Sequence, residues 1–234
     1  MRGLQGYGEM IWLLLPAVLL LLFWFRVAGA DSGAPKTLDL PEPRLKSECS
    51  IEQALLLRRS GRSYAGVPLT LAEVSQLLWA AQGVTDRRGL RTAPSAGALY
   101  PLETYVLVSK VEGLPAGVYR YQPHQHGLVE TATGDRRAQL AAAALSQSFI
   151  SEAPVSIVLT AVYARTTAKY GERGIRYVQM EAGHASQNLY LQAVALDLLT
   201  VAIGAFSEQK VQKALELPEN EQPLYIMPIG KRRS

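Results

Sequence analysis

The chain has 234 residues, of which 48% are hydrophobic and 19% charged. That balance excludes intrinsic disorder and allows one core of ordinary domain size with short extensions. The net charge is +4, but no recognition module and no alternation of aromatic with basic residues accompanies it, so nucleic acid is not an expected partner.

Residues 1–30 open the chain with an apolar segment. Met10 to Phe25 is almost wholly hydrophobic, with Arg2 before it and Arg26 after it. The run falls short of the roughly 20 residues of a bilayer-crossing helix, and reaches that length when extended through Ala30. Two readings stay open. Ala28-Gly29-Ala30 before Asp31 has the small-x-small form of a signal-peptide cleavage site. Trp12, Trp24 and the edge arginines have the form of interfacial anchors on a single-pass helix. Arg26, Lys36, Arg44 and Lys46 follow the segment, which favours a cytoplasmic domain behind an anchor. Both readings bring the protein to a membrane. Residues 31–49, dominated by proline, glycine and charge, read as a linker. Cys49 is the single cysteine, so no internal disulfide and no cysteine metal cluster can form.

A domain follows over residues 50–234. Ser50-Ile-Glu-Gln53 is a capping box, with Ile51, Leu55 and the neighbouring leucines as a helix face. Thr70-Leu-Ala-Glu73 repeats the device, and Leu71, Val74, Leu77, Leu78 and Ala81 mark a second helix that Gly83 stops. Residues 103–109 read as a strand, with Tyr105 and Leu107 on one face and Val106 and Val108 on the other. Residues 118–121 and 128–131 read as a hairpin. His124 and His126 fall between them, in a turn expected to be solvated. Residues 136–148 form an alanine-rich helix and residues 156–162 a buried strand. The longest helix is expected over 175–198, where Val178, Ala182, Ala185, Leu189, Ala193 and Leu196 recur at helical spacing. A strand over 200–205, a helix over 208–215 and an extended segment over 223–228 complete the chain. Helices and strands alternate without a regular βαβ repeat, and no solenoid-length repeat occurs. The fold class is therefore α+β.

Several stretches carry chemistry. Arg58-Arg-Ser-Gly-Arg-Ser-Tyr64 gathers three guanidinium groups and a hydroxyl, a donor set suited to an anion. Pro94-Ser-Ala-Gly-Ala-Leu-Tyr-Pro101 is a loop of small residues, which lets backbone approach a flat ring closely. Gly230-Lys-Arg-Arg-Ser234 ends the chain with further cations. Lys169-Tyr170 pairs an amine with a phenol, and His184, one helical turn past Glu181, reads as a structural hydrogen-bonding residue. No cluster of metal ligands accompanies them.

These motifs together resemble the nitroreductase family in its SagB-type branch, over about residues 50–234. That branch includes enzymes that oxidise azolines in modified peptides. The resemblance implies a nitroreductase-like fold, a mixed sheet flanked by helices, with FMN at the interface of a homodimer. It implies flavin contacts from Arg58, Ser60 and Arg62, with Arg59 beside them. Pro94, Ser95, Ala96 and Gly97 would approach the flavin through backbone and small side chains. Many nitroreductases carry Asn where this chain has Ala98. The N–H groups of Gly204 and Ala205 would face flavin N5, and Lys231 and Arg233 would hold the phosphate. Lys169 and Tyr170 would act in proton abstraction, since dehydrogenation needs a base beside the hydride acceptor.

The implied function is an FMN-dependent oxidoreductase acting on a small molecule or a modified peptide. NAD(P)H-driven reduction of nitro compounds or quinones is the first alternative, because the family binds nicotinamide nucleotides transiently. A non-catalytic flavin-binding interaction domain is the second.

Overall fold

Two capping boxes set where the first helices begin. Ser50 and Thr70 each accept the N–H of the residue three positions on, and Gln53 and Glu73 reach back to the cap amides. Each cap contributes about 1 kcal/mol. The helices that follow are α1 (Ile51–Leu57) and α2 (Leu71–Gln82). The computed structural model describes residues 37–233. The apolar segment read as a signal or anchor lies outside the described residues. Among the described residues, no helix is long and apolar enough to cross a membrane.

The strands are β1 (Thr37–Asp39), β2 (Leu102–Val108), β3 (Gly117–Gln122), β4 (Gly127–Thr133), β5 (Val155–Ala161), β6 (Leu198–Thr200) and β7 (Gln222–Lys231). They form one sheet in the order β1-β4-β3-β2-β5-β7-β6. Every neighbouring pair is antiparallel, where a mixed sheet was expected. The reason is an insertion. β5 and β6 run parallel to each other, but β7 lies between them and pairs antiparallel with both.

The remaining helices are α3 (Arg137–Ala143), α4 (Phe149–Glu152), α5 (Ala164–Tyr170), α6 (Arg173–Ala195) and α7 (Glu208–Leu215). The expected alternation along β2 holds, and it divides two cores. Val106 and Val108 pack with α2 and α6 on one face of the sheet. Tyr105 and Leu107 pack with α3 and α7 on the other. β2 and β5 are buried along their whole length because helices cover both faces.

Several expectations are corrected. The segment read as a linker carries β1, which adds to the sheet edge beside β4, and Leu40 is buried. His126 is not solvated. Its left-handed backbone, φ 46°, turns the ring inward, where Nε2 meets Ser75 Oγ at 2.8 Å and Nδ1 meets Tyr121 OH at 2.8 Å. Pro41 O accepts from Ser75 Oγ, so this group ties the N-terminal strand to the hairpin. The alanine-rich helix expected over 136–148 ends at Ala143, and the short α4 begins only at Phe149. Leu145 and Ser146 take left-handed conformations, and Ser146 N–H caps the Ala141 carbonyl at 2.9 Å. Helix propensity there yields to the packing of α4 under the sheet. The strand expected over 200–205 ends at Thr200, and Ile203 makes a single bridge to Ile226. The α1 leucines do not face the core: Leu55 is 55% exposed, Leu56 70% and Leu57 59%.

Tyr64 joins its own segment to the distant strand β7. It is fully buried, and its hydroxyl lies 3.0 Å from Pro228 O and 3.1 Å from Gly61 O. Burial raises its pKa, so the phenol stays protonated and donates. Tyr64→Phe leaves the Pro228 carbonyl without that donor. Urea unfolding should show a loss of about 1–2 kcal/mol with an unchanged far-ultraviolet spectrum.

Candidate functional site

The loop after α2 is held in a strained form. Gly97, Ala98 and Tyr100 all have positive φ, at 63°, 54° and 46°. For a bulky residue such as Tyr100 this conformation is costly, and contacts on every side retain it. Tyr100 N–H donates to Ser95 Oγ at 2.9 Å, Arg91 N–H donates to Tyr100 OH at 3.2 Å, and the Arg91 guanidinium lies 4.4 Å from the Tyr100 ring centroid. Asparagine adopts the left-handed region readily, so Ala98 keeps a backbone shape that would suit the Asn which the resemblance leads one to expect there.

The structure brings Lys169 and Tyr170 to this loop. A Cβ added at Gly97 would lie 2.8 Å from Tyr170 OH and 3.0 Å from Lys169 Nζ. Both atoms are the ends of flexible side chains, so it is the positive φ that calls for glycine here, and the close approach records how near the two groups lie. Lys169 and Tyr170 end α5. α5 lies close to α6 because Gly174 leaves room: its Cβ would meet the Thr166–Thr167 backbone at 3.0 Å. Lys169 is exposed and Tyr170 half-buried, with the Tyr170 ring set edge-on to Tyr177 at 5.3 Å.

Glu181 was not singled out by the sequence reading. Its carboxylate is 4% exposed and accepts from Ala96 N–H at 2.9 Å. Burial raises its pKa, while hydrogen bonds from Ala96 and the Ser95 side chain and the charge of His184 oppose the rise. Ser95 Oγ, which accepts from Tyr100 N–H, is thus already engaged within its own loop. The available signal was a carboxylate one position before the apolar stripe of α6, at its edge. His184, expected to be a hydrogen-bonding residue, is exposed and lines a cavity of about 250 Å³ with Pro94, Ser95, Ala96, Tyr177 and Glu181.

The basic stretches meet elsewhere. Gly61 N–H donates to Thr200 O and Ala65 N–H to Lys231 O, both at 2.9 Å. This lays residues 60–65 along β6 and the end of β7. Ser60 Oγ is 3.0 Å from Tyr190 OH, which also accepts from Ala202 N–H at 2.8 Å. The Arg58 guanidinium covers the Tyr190 ring and that of Arg62 covers Phe149, at 5.3 and 5.7 Å. Among the described residues neither is in an ion pair. Arg59 folds back on the Leu56 and Arg58 carbonyls and shares a cavity with Arg232. Lys231 faces Glu73 at 3.6 Å and Arg233 faces Glu152 at 3.8 Å, both loose and largely exposed pairs. Gly204 and Ala205 are exposed, and neither N–H donates within the backbone among the described residues.

The predicted site residues thus form two groups on one helix. Glu181 holds the Pro94–Gly97 loop and Tyr190 holds the Ser60 strand. These anchors are roughly two and a half turns apart, about 13 Å along α6 and on opposite flanks of it. The cationic groups, the free N–H groups and the close-approach glycine fit a flat anionic cofactor, with the two halves displaced from each other.

Comparison with known proteins gives the family and the fold. The sequence profile described as the nitroreductase family matches residues 55–231. A protein of Methanocaldococcus jannaschii named as a nitroreductase, MJ1384, is 47% identical over 84% of this chain and 98% of its own length. The microcin B17-processing protein McbC of Escherichia coli is 27% identical over 69% of this chain and 62% of its own length. A crystal structure from Ralstonia eutropha, also named as a nitroreductase, superposes with a TM-score of 0.75 at 31% identity, covering 86% of this chain and 92% of that one.

Two outcomes test the site. Gly97→Ala forces a side chain into a φ of 63° and against Lys169 Nζ. It should cost about 1 kcal/mol of apoprotein stability in chemical denaturation and displace the amine. Glu181 has a folded pKa raised above the ordinary 4.5. Its favourable contribution is present below that value and is lost as pH rises through the folded pKa. Glu181→Gln should therefore gain on the wild type as pH climbs from 4.5 towards neutrality, in melting curves taken across that range.

Proposed function

This oxidoreductase belongs to the nitroreductase family, and we propose that it is an FMN-dependent dehydrogenase of the SagB type. The observation that carries the reading is the placement of Lys169 Nζ and Tyr170 OH against Gly97. Reduction of a nitro group or quinone needs no dedicated base, whereas dehydrogenation removes a carbon-bound proton as well as a hydride. The peptide-processing relative McbC supports a modified peptide as substrate, and an azoline is the heterocycle that fits. Its oxidation to the aromatic azole releases one hydride and one proton.

FMN, when bound, supplies the hydride acceptor at N5. Arg58, Ser60 and Arg62 would hold it along the pyrimidine edge and ribityl chain, with Lys231 and Arg233 at the phosphate. A cation beside the pyrimidine edge stabilises negative charge that builds there. Gly204 and Ala205 offer backbone N–H groups toward N5. Lys169 would take the substrate proton on its Nζ, and Tyr170 would orient it.

The opposite-flank arrangement on α6 supports a homodimer. The Pro94–Gly97 loop of one protomer would close the cradle formed by Arg58, Gly204 and Lys231 of its partner. The exposed leucines of α1 offer apolar area for that contact. The N-terminal segment, if kept as an anchor and not cleaved as a signal, would tether this assembly to a membrane.

A second reading, NAD(P)H-driven nitro or quinone reduction, is favoured by the MJ1384 similarity. Two measurements separate the readings. The purified full chain should show a flavin absorption band, and heat should release FMN. Lys169→Ala should retain FMN but lose turnover of a thiazoline-bearing peptide by roughly a hundredfold or more. A colourless protein that takes up no added FMN would sink the flavoenzyme reading. Undiminished thiazoline turnover in Lys169→Ala would sink the base assignment and leave the reductase.

A further inference from the structure

Arg165 lies one helical turn before Lys169 on α5, on the same side of that helix. Its Nη1 donates to the Tyr100 carbonyl at 3.0 Å and its Nη2 to Glu103 Oε1 at 2.5 Å. Tyr100 belongs to the strained loop that begins at Pro94, and Glu103 is in β2. The anchor itself is firm. Glu103 is 8% exposed, and its Oε2 accepts from Arg120 Nε at 3.1 Å and Nη2 at 2.9 Å. β2 lies at the centre of the sheet, paired on both sides.

α5 is joined to β5 through Val162 and Tyr163 and to α6 through Gly171 and Glu172, which sets where it lies and leaves the turn of its outer side to side-chain contacts. It has seven residues, and Thr166 is its one buried side chain. A helix that short does not persist by its own hydrogen bonds. The Gly174 contact sets how near α5 lies to α6, but two backbones in contact can still slide. An ion pair with one partner partly exposed contributes little stability. Its value here is directional, because a planar guanidinium fork bound to two acceptors on one loop–strand unit fixes both position and orientation.

We propose that Arg165 is a positioning residue: its fork ties α5 to the flavin loop and β2, and thereby holds Lys169 Nζ against Gly97. The proposal rests on the reading of Lys169 as the base. Arg165→Met keeps the length of the side chain and removes the fork. Arg165→Lys keeps the charge but cannot span both acceptors.

The test pairs a chemical readout with a kinetic one. Lys169 is exposed, so the readout is the reactivity of its Nζ, held beside Gly97 and the Tyr170 ring: the rate of its acetylation with acetic anhydride in the full-chain apoprotein, read by peptide mass spectrometry. Turnover is measured with a synthetic thiazoline peptide on the FMN-loaded protein. Arg165→Met should acetylate several-fold faster at Lys169, with the melting temperature and FMN content of the wild type. Its kcat should fall roughly ten- to a hundredfold, as expected when a reacting group shifts by about 1 Å, while KM stays near the wild-type value. Arg165→Lys should recover part of both. If Arg165→Met fails to fold, Glu103→Gln weakens the same tie from the sheet and should also raise the acetylation rate. Unchanged acetylation in whichever variant folds overturns the proposal, as does loss of FMN in step with kcat. A wild type that holds FMN but leaves the thiazoline untouched defeats the substrate reading instead, and the acetylation rates then decide the tether alone.

Discussion

The rotation of α6 about its own axis is the constraint on which the site depends. Val178, Ala182, Ala185, Leu189 and Ala193 are each at most 1% exposed, and their burial against the sheet fixes which way every other residue of the helix points. The small side chains in that stripe let the helix lie close to β2, β5 and β7, so little rotational slack remains. Glu181 then emerges on one flank and Tyr190 on the other. The loop of small residues attaches to the first and the arginine-rich strand to the second. A different rotation would move a buried carboxylate into the core without its partner, at a cost of several kcal/mol.

The loop itself stores strain that its surroundings retain. Left-handed φ values at Ala98 and Tyr100 cost on the order of 1–2 kcal/mol each. No single hydrogen bond offsets that, since a typical one contributes about 1 kcal/mol net. Several act together: Ser95 Oγ and Arg91 N–H on Tyr100, Arg165 on the Tyr100 carbonyl, and Glu181 on Ala96 N–H. The loop is thus folded by the protein alone. A cofactor that meets it finds a preformed surface and bears less ordering cost.

The charged groups divide by role. Guanidinium groups that touch carbonyls and carboxylates, such as Arg120 and Arg165, fix elements to one another. Those that lie over aromatic rings, Arg58 and Arg62, are steadied by cation–π contact and, among the described residues, make no side-chain hydrogen bond or ion pair. A ring can hold such a cation in place without consuming the donors that an anionic ligand requires.

Much of the fold was legible in the sequence. The capping boxes at Ser50 and Thr70, the two-faced strand around Tyr105 and Val106, the hairpin and the stripe of α6 follow from local periodicity and side-chain chemistry, which act over a few residues. The basic stretches, the small-residue loop and Lys169-Tyr170 were legible as chemistry. Their arrangement was not. Insertion of β7 between β5 and β6, the inward turn of His126, the edge strand near residue 38 and the exposure of the α1 leucines depend on which segments meet across the sheet. Glu181 and Arg165 look like ordinary surface charges until the loop folds onto them. Sequence determined which groups were available and which local shapes they prefer. Tertiary packing decided which of them touch, because contacts between residues far apart in the chain depend on the burial of the whole core and not on any short stretch of it.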